Sequence, residues 1–282
     1  MGVLAAGRRH SVACRTDGTV VATGDGRAGE CDVGGWTGVV AVAVGNVHTA
    51  ANTGRAHTVG LRCDGTVLAT GWNGDGQCAV DGWRGVTAVA AGWRRTLGLL
   101  ADGTVVAAGR DAEGQCRVAD WRGVRAIACG DWRSVGVLAD GTAVATGNDR
   151  RGQCRVEEWR DLVDVGAGAL HTVGLRAGGT VVAAPGDEPG TVAVTAWRDV
   201  VALSAGSHHT VALRADGTVL AAGDDAHGQC DVQEWRDVVA VAAGSTHTLG
   251  LRADGTVVAA GNDADRRCRV GGWSGVRSAP TR

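Results

Sequence analysis

An Asp-Gly-Thr tripeptide returns along the chain at Asp17, Asp64, Asp102, Asp140, Asp216 and Asp254, with Gly178-Gly179-Thr180 filling the one gap. The first step is 47 residues and the rest are 38. A fixed period of this length constrains the fold more than any other feature, because each unit must be one supersecondary element that buries its faces against its neighbours. The chain divides into seven units, at about 1–36, 37–83, 84–121, 122–159, 160–197, 198–235 and 236–273, within one domain spanning 1–282. A nine-residue insertion falls in the second, within about 46–56. Trp36, Trp83, Trp121, Trp159, Trp197, Trp235 and Trp273 recur in phase, 19 residues after the Asp or its substitute.

The last two units show the local pattern most cleanly. Val238 to Gly244 reads as a first strand, His247 to Arg252 as a second and Thr256 to Gly261 as a third, with a short fourth around Cys268-Arg269-Val270. Between the second and third, Ala253-Asp254-Gly255-Thr256 reads as a hairpin turn whose Asp-Gly could supply the positive φ values of type I′. Four-stranded units that bury one another radially predict an all-β, circularly closed, seven-bladed β-propeller with four antiparallel strands per blade. The fourth residue of the second strand is Ala13, Gly60, Gly98, Gly136, Gly174, Ala212 or Gly250, never larger than methyl, so a close approach is expected there. In register, residues 3–7 and 276–280 compete for one innermost strand position, and the N-terminal segment is the better match.

Val241-Ala242-Ala243-Gly244-Ser245-Thr246-His247-Thr248-Leu249-Gly250-Leu251, followed by Asp254-Gly255-Thr256 and, in other units, a Gly-Gln-Cys stretch, resembles the repeat of the regulator of chromosome condensation family of seven-bladed propellers. The resemblance covers nearly the whole chain and implies the fold. Members of that family include a nucleotide exchange factor for a small GTPase and bacterial β-lactamase inhibitory propellers, so it implies no single function.

Composition agrees with an all-β chain. Gly is 47 of 282 residues, Phe and Tyr are absent, and Val, Thr and Ala abound. The 28 basic residues are all Arg, and 30 acidic ones offset them to a net charge of −2, which leaves no basic field for phosphate and argues against a nucleic-acid partner. No apolar run is long enough to span a bilayer, and the N-terminal residues lack the ordered regions of a signal peptide, so a cytoplasmic, monomeric protein with no membrane partner is expected.

Repeated residues are explained by the repeated fold. His10, His57, His171, His209 and His247 are equivalent, with Arg95 and Arg133 in the same position of units three and four. One such residue per unit reads as structural rather than as a metal cluster. Cys31, Cys78, Cys116, Cys154, Cys230 and Cys268 also fall one per unit with no Cys-x-x-Cys, and read as small buried hydrophobes. The loops Asn73-Gly74-Asp75-Gly76 and Asn262-Asp263-Ala264-Asp265 lack the distal Glu of a calcium loop. No phosphate loop or nucleophile elbow is present, so no catalytic residue, metal or cofactor is expected.

Departures from the repeat carry the functional expectation. Trp93 and Trp132 replace Ser245 and Thr246 in the first-to-second-strand loop, and Trp72 replaces Asn262 in the loop after the third strand. Antiparallel strands bring both loops to one face. Arg94, Arg95, Arg110, Arg133, Arg150 and Arg151 fall in the same sector. Trp and Arg dominate binding hot spots, so this face of units two to four is expected to bind a protein partner. The expected role is a non-enzymatic interaction scaffold. The alternatives are a specific protein inhibitor, a small-GTPase exchange factor by family analogy, or an enzyme or small-molecule binder using the channel mouth. Unit five departs at Gly178 and over Pro185 to Val192, which reads as decay of the repeat.

Overall fold

The computed structural model describes residues 2–45, 55–185 and 191–278, the side chains of 191 and 192 excepted. The chain forms seven antiparallel sheets of three strands, each from consecutive segments. In unit seven the strands are Val238–Ala243, His247–Arg252 and Val257–Gly261. The middle strand is buried along most of its length while the third alternates less and stays half-exposed, as expected of a sheet with its inner edge packed and its outer edge toward solvent. The expected fourth strand is not formed. Cys268 and its counterparts outside unit five lie in turns, in which the Cys268 N–H donates to the Asp263 carboxylate and its thiol to the Asn262 carbonyl. Those side-chain bonds curl the segment and occupy groups that a ladder would need.

The hairpin turn also differs from expectation. Only Gly255 has positive φ, at 83°, while Ala253 and Asp254 do not. Gly255 N–H donates to Arg252 O, and Arg252 N–H to Thr256 O, the pattern of a type I turn closed by a glycine bulge. The Asp254 carboxylate accepts from both the N–H and the hydroxyl of Thr256, which accounts for the tripeptide.

The in-phase tryptophans wedge between units. A Cβ at Gly60 would stand 2.7 Å from the Trp36 ring, and at Gly98 2.8 Å from Trp83, so the small residue makes room for the indole of the preceding unit rather than for backbone. Trp273 packs in a core shared by its own unit and the next, with Leu249 and Leu251 of unit seven and Ala13 of unit one. Burial of one such ring contributes roughly 4–6 kcal/mol before entropy is subtracted.

Residues 3–7 supply the inner strand of unit one, as the register predicts. Leu4–Ala6 pairs with His10–Cys14, with Leu4 opposite Ala13. The C-terminal segment does not lose the competition outright: Val276 pairs with Arg15, as Val238 pairs with Arg252 one repeat earlier. The strand itself is Leu4–Ala6, and Val276 adds an isolated bridge to Arg15. The insertion at 46–54 and most of the divergent loop, 186–190, lie outside the described residues. Unit five keeps its three strands, its third shortened to Val181–Ala183, with a one-turn helix at Thr191–Val194.

Candidate functional site

At each junction one side chain of the middle strand reaches into the next unit. His10 Nε2 bonds Thr58, His57 bonds Thr96, His171 bonds Thr210, His209 bonds Thr248 and His247 bonds Ser11. The Thr58 hydroxyl donates to Glu30 O and the Thr96 hydroxyl to Gln77 O, so the imidazole Nε2 must be the donor. Burial pushes His10 and His209 down to about 4, and His57 and His171 to about 3. These histidines hold neighbouring units together as neutral donors. Among the described residues no group of three or more His, Cys, Asp or Glu could hold a metal. Burial likewise raises the repeated thiols, Cys31 and Cys230 to about 12.

Arg95 and Arg133 occupy the same position and are fully buried. This corrects their expected place on the binding surface. Arg95 donates to Ser134 Oγ at 3.1 Å and to the carbonyls of Asp131, Gly130 and Arg133. Arg133 repeats the arrangement with Thr172 Oγ1, Ala169 O, Gly168 O and His171 O. Their equivalence to the histidines was visible in the repeat register and outweighs the residue type. The carbonyls also matter: in units six and seven the corresponding acceptors, Gly244 O and Gly7 O, receive the loop N–H of Ser207 and Ser245. In units three and four a guanidinium fills that role, and the loop ahead of it carries Trp93-Arg94 or Asp131-Trp132.

Those loops build one aromatic cluster. The Arg94 guanidinium lies 4.5 Å from the Trp72 ring centroid and 4.6 Å from that of Trp93, held between the two indoles. Arg110 covers Trp93 at 5.2 Å, and Trp132 meets Trp93 edge-on with centroids 5.8 Å apart. Such cation–π and edge-to-face pairs each contribute about 0.5–1.5 kcal/mol. Arg94 pairs with Asp75 at 3.4 Å and Arg110 with Glu113 at 2.9 Å. Burial pulls the Glu113 carboxyl upward, but hydrogen bonds from Arg110 and Gln115 outweigh it and hold it below its ordinary value. Arg94 has φ of 62°, a strained conformation for a residue with a side chain, which turns it back over Trp72. All five cluster residues remain half-exposed.

Arg150 and Arg151 are exposed in the loop after the third strand of unit four, next to the cluster because Asn148 N–H donates to Trp132 O. Thus Trp72, Trp93, Arg94, Arg110 and Trp132 come together, Arg150 and Arg151 flank them, and Arg95 and Arg133 lie beneath. Sequence reasoning missed the acidic partners Asp75 and Glu113; their only signal was a position three residues after Trp72 and Arg110.

The equivalent loop positions after the first strand, Arg8, Asp131, Ala169, Ser207 and Ser245, are all under a tenth exposed. Burial and the neighbouring Arg9 and Arg267 lower the pKa of Arg8, against the carboxylates of Asp265 and of Asp131 from unit four. No helix among the described residues is long and apolar enough to cross a membrane.

The regulator of chromosome condensation (RCC1) repeat matches residues 4–30, 51–77, 86–115, 124–153, 200–229 and 238–266, more than half the chain, and leaves unit five unmatched. No curated protein matches by sequence. Among solved structures, human WBSCR16 is similar at 18% identity over 88% of this chain and 85% of that one, TM-score 0.69. Prp20p from Saccharomyces cerevisiae, a structure described with its binding properties to Gsp1p and histones, is similar at 16% identity over 94% and 83%, TM-score 0.64. The CRINKLY WD40 ectodomain of the Arabidopsis thaliana receptor kinase ACR4 is similar at 19% identity over 79% and 85%, TM-score 0.64.

Proposed function

The chain belongs to the regulator of chromosome condensation (RCC1) repeat family, and from that premise we propose that it is a non-enzymatic protein-interaction scaffold whose binding face is the Trp72–Arg94–Trp93–Arg110–Trp132 cluster of units two to four. The observation that carries this reading is the cluster itself: three indoles and two guanidiniums held in mutual contact yet half-exposed. Large side chains already fixed against one another lose little entropy on binding, which favours a hot spot. The binding of Gsp1p and histones by the similar Prp20p supports a protein partner.

In this reading the seven blades close on themselves through the first strand Leu4–Ala6 and the bridge of Val276 to Arg15, so the face rests on a rigid frame. The protein acts as a monomer in the cytoplasm, where its nine free cysteines would stay reduced. Affinity capture with wild type and with Trp93→Ala plus Trp132→Ala, both shown to melt alike, tests the proposal. A partner retained by wild type and lost at least tenfold by the variant is expected; equal retention of every partner would overturn it.

A further inference from the structure

We infer that the partner docks on this face through an acidic polypeptide segment, whose carboxylates meet Arg150 and Arg151 while an apolar side chain covers the Trp93–Trp132 pair. This rests on the proposed binding face and goes beyond it by fixing the partner's charge. Within the cluster both arginines are already neutralised, Arg94 by Asp75 and Arg110 by Glu113. Just beyond lie Arg150 and Arg151, both exposed. The backbone N–H groups of Arg150 and Arg151 are pinned to Asn148 Oδ1 and Gln153 Oε1, which fixes the turn, while neither guanidinium makes an ion pair among the described residues and both residues are exposed. Asp149 does not answer them: one of its oxygens accepts from Cys154 N–H and the other faces Arg155 at 3.9 Å.

The same loop in unit six carries Asp224, Asp225, Ala226 and His227, so the two cations belong to unit four and not to the repeat. Two exposed arginines with no ion pair among the described residues, in a loop bonded to Trp132, fit carboxylates next to an apolar group, since Arg presents paired donors to a carboxylate and pays little desolvation for it. Nucleic acid offers anions as well, but base stacking needs open indole faces. Here Trp72 and Trp93 already carry the guanidiniums of Arg94 and Arg110.

A random peptide library panned on the intact protein, with counter-selection against Trp93→Ala/Trp132→Ala, tests this. Peptides recovered only on wild type are expected to be rich in Asp or Glu beside an aromatic or aliphatic residue. Their binding should weaken at least tenfold in Arg150→Glu/Arg151→Glu, weaken with added salt, and be unchanged in Arg266→Glu, the same kind of change in the loop of unit seven. Indole-dependent peptides that are neutral or basic, or that ignore the Arg150 and Arg151 changes, overturn the acidic partner and leave the binding face standing. If no peptide depends on the indoles, both readings fall. A labelled single-stranded oligonucleotide whose binding depends on Trp93 overturns the inference in favour of nucleic acid.

Discussion

Five junctions of this molecule are closed by a neutral imidazole and two by a charged guanidinium, in the same position of the same repeat. His209 makes one hydrogen bond, to Thr248, and leaves its Nδ1 without a partner. Arg95 reaches the equivalent hydroxyl of Ser134 and also three backbone carbonyls of the next unit. The histidine junction joins two side chains; the arginine junction clamps the loop of its neighbour. The aromatic cluster stands on the two arginine junctions, so the residues that break the repeat inside units three and four support those that break it on the surface.

The largest expected effect separates the two junctions by pH. A base whose folded pKa is depressed binds more protons when unfolded, so its stabilisation is present above the unfolded pKa of about 6.5 and is lost as pH falls toward the folded value of about 3 to 4. His247 shifts in the same direction. Near pH 5 five imidazoles together give a slope of about 7 kcal/mol per pH unit, and a domain of ordinary stability, about 5–15 kcal/mol, should unfold one to two units below pH 6. Urea midpoints measured from pH 7 to 4.5 check this. Arg95→His plus Arg133→His should steepen the slope toward seven protons; an unchanged slope would falsify the equivalence of the two junctions.

Next in size, Arg95→Ala leaves four buried acceptors without their donor and should cost about 3–5 kcal/mol, whereas His209→Ala, which loses one bond, should cost about 2 kcal/mol. Equal losses in denaturant titrations would remove the distinction between clamp and joint. Gly98→Val in unit three and Gly250→Val in unit seven press on Trp83 and Trp235 alike, with a Cβ 2.8 Å and 2.6 Å from the rings. Each should cost about 2–3 kcal/mol, the same in an arginine unit as in a histidine unit. The smallest effect is a gain. A Cβ at Gly178 meets nothing within 4 Å, its φ is not in the left-handed region, and Thr180 waits where its counterparts meet an Asp. Gly178→Asp should raise stability by about 0.5–1 kcal/mol, from the narrower unfolded ensemble together with the bonds Thr180 then donates to the carboxylate, seen as a rise of a degree or more in Tm.

The sequence by itself determined the seven-fold repeat, the place of the first three strands of unit seven to within a residue, the inner strand supplied by residues 3–7, and the meeting of Trp72, Trp93 and Trp132 on one face. Those features follow from period and alternation, which any residue of the right size and polarity satisfies. Only the tertiary structure decided that Cys268-Arg269-Val270 does not form a strand, that the small residue at Gly60 faces an indole, that Val276 bridges to Arg15, and that Arg95 and Arg133 are buried. Each depends on a partner 24 to 261 residues away, or on a side chain taking a backbone group that pattern assigns to a ladder. A guanidinium in a repeat reads as surface until the carbonyls that receive it are in place, because its burial is stabilised by acceptors that belong to the next unit.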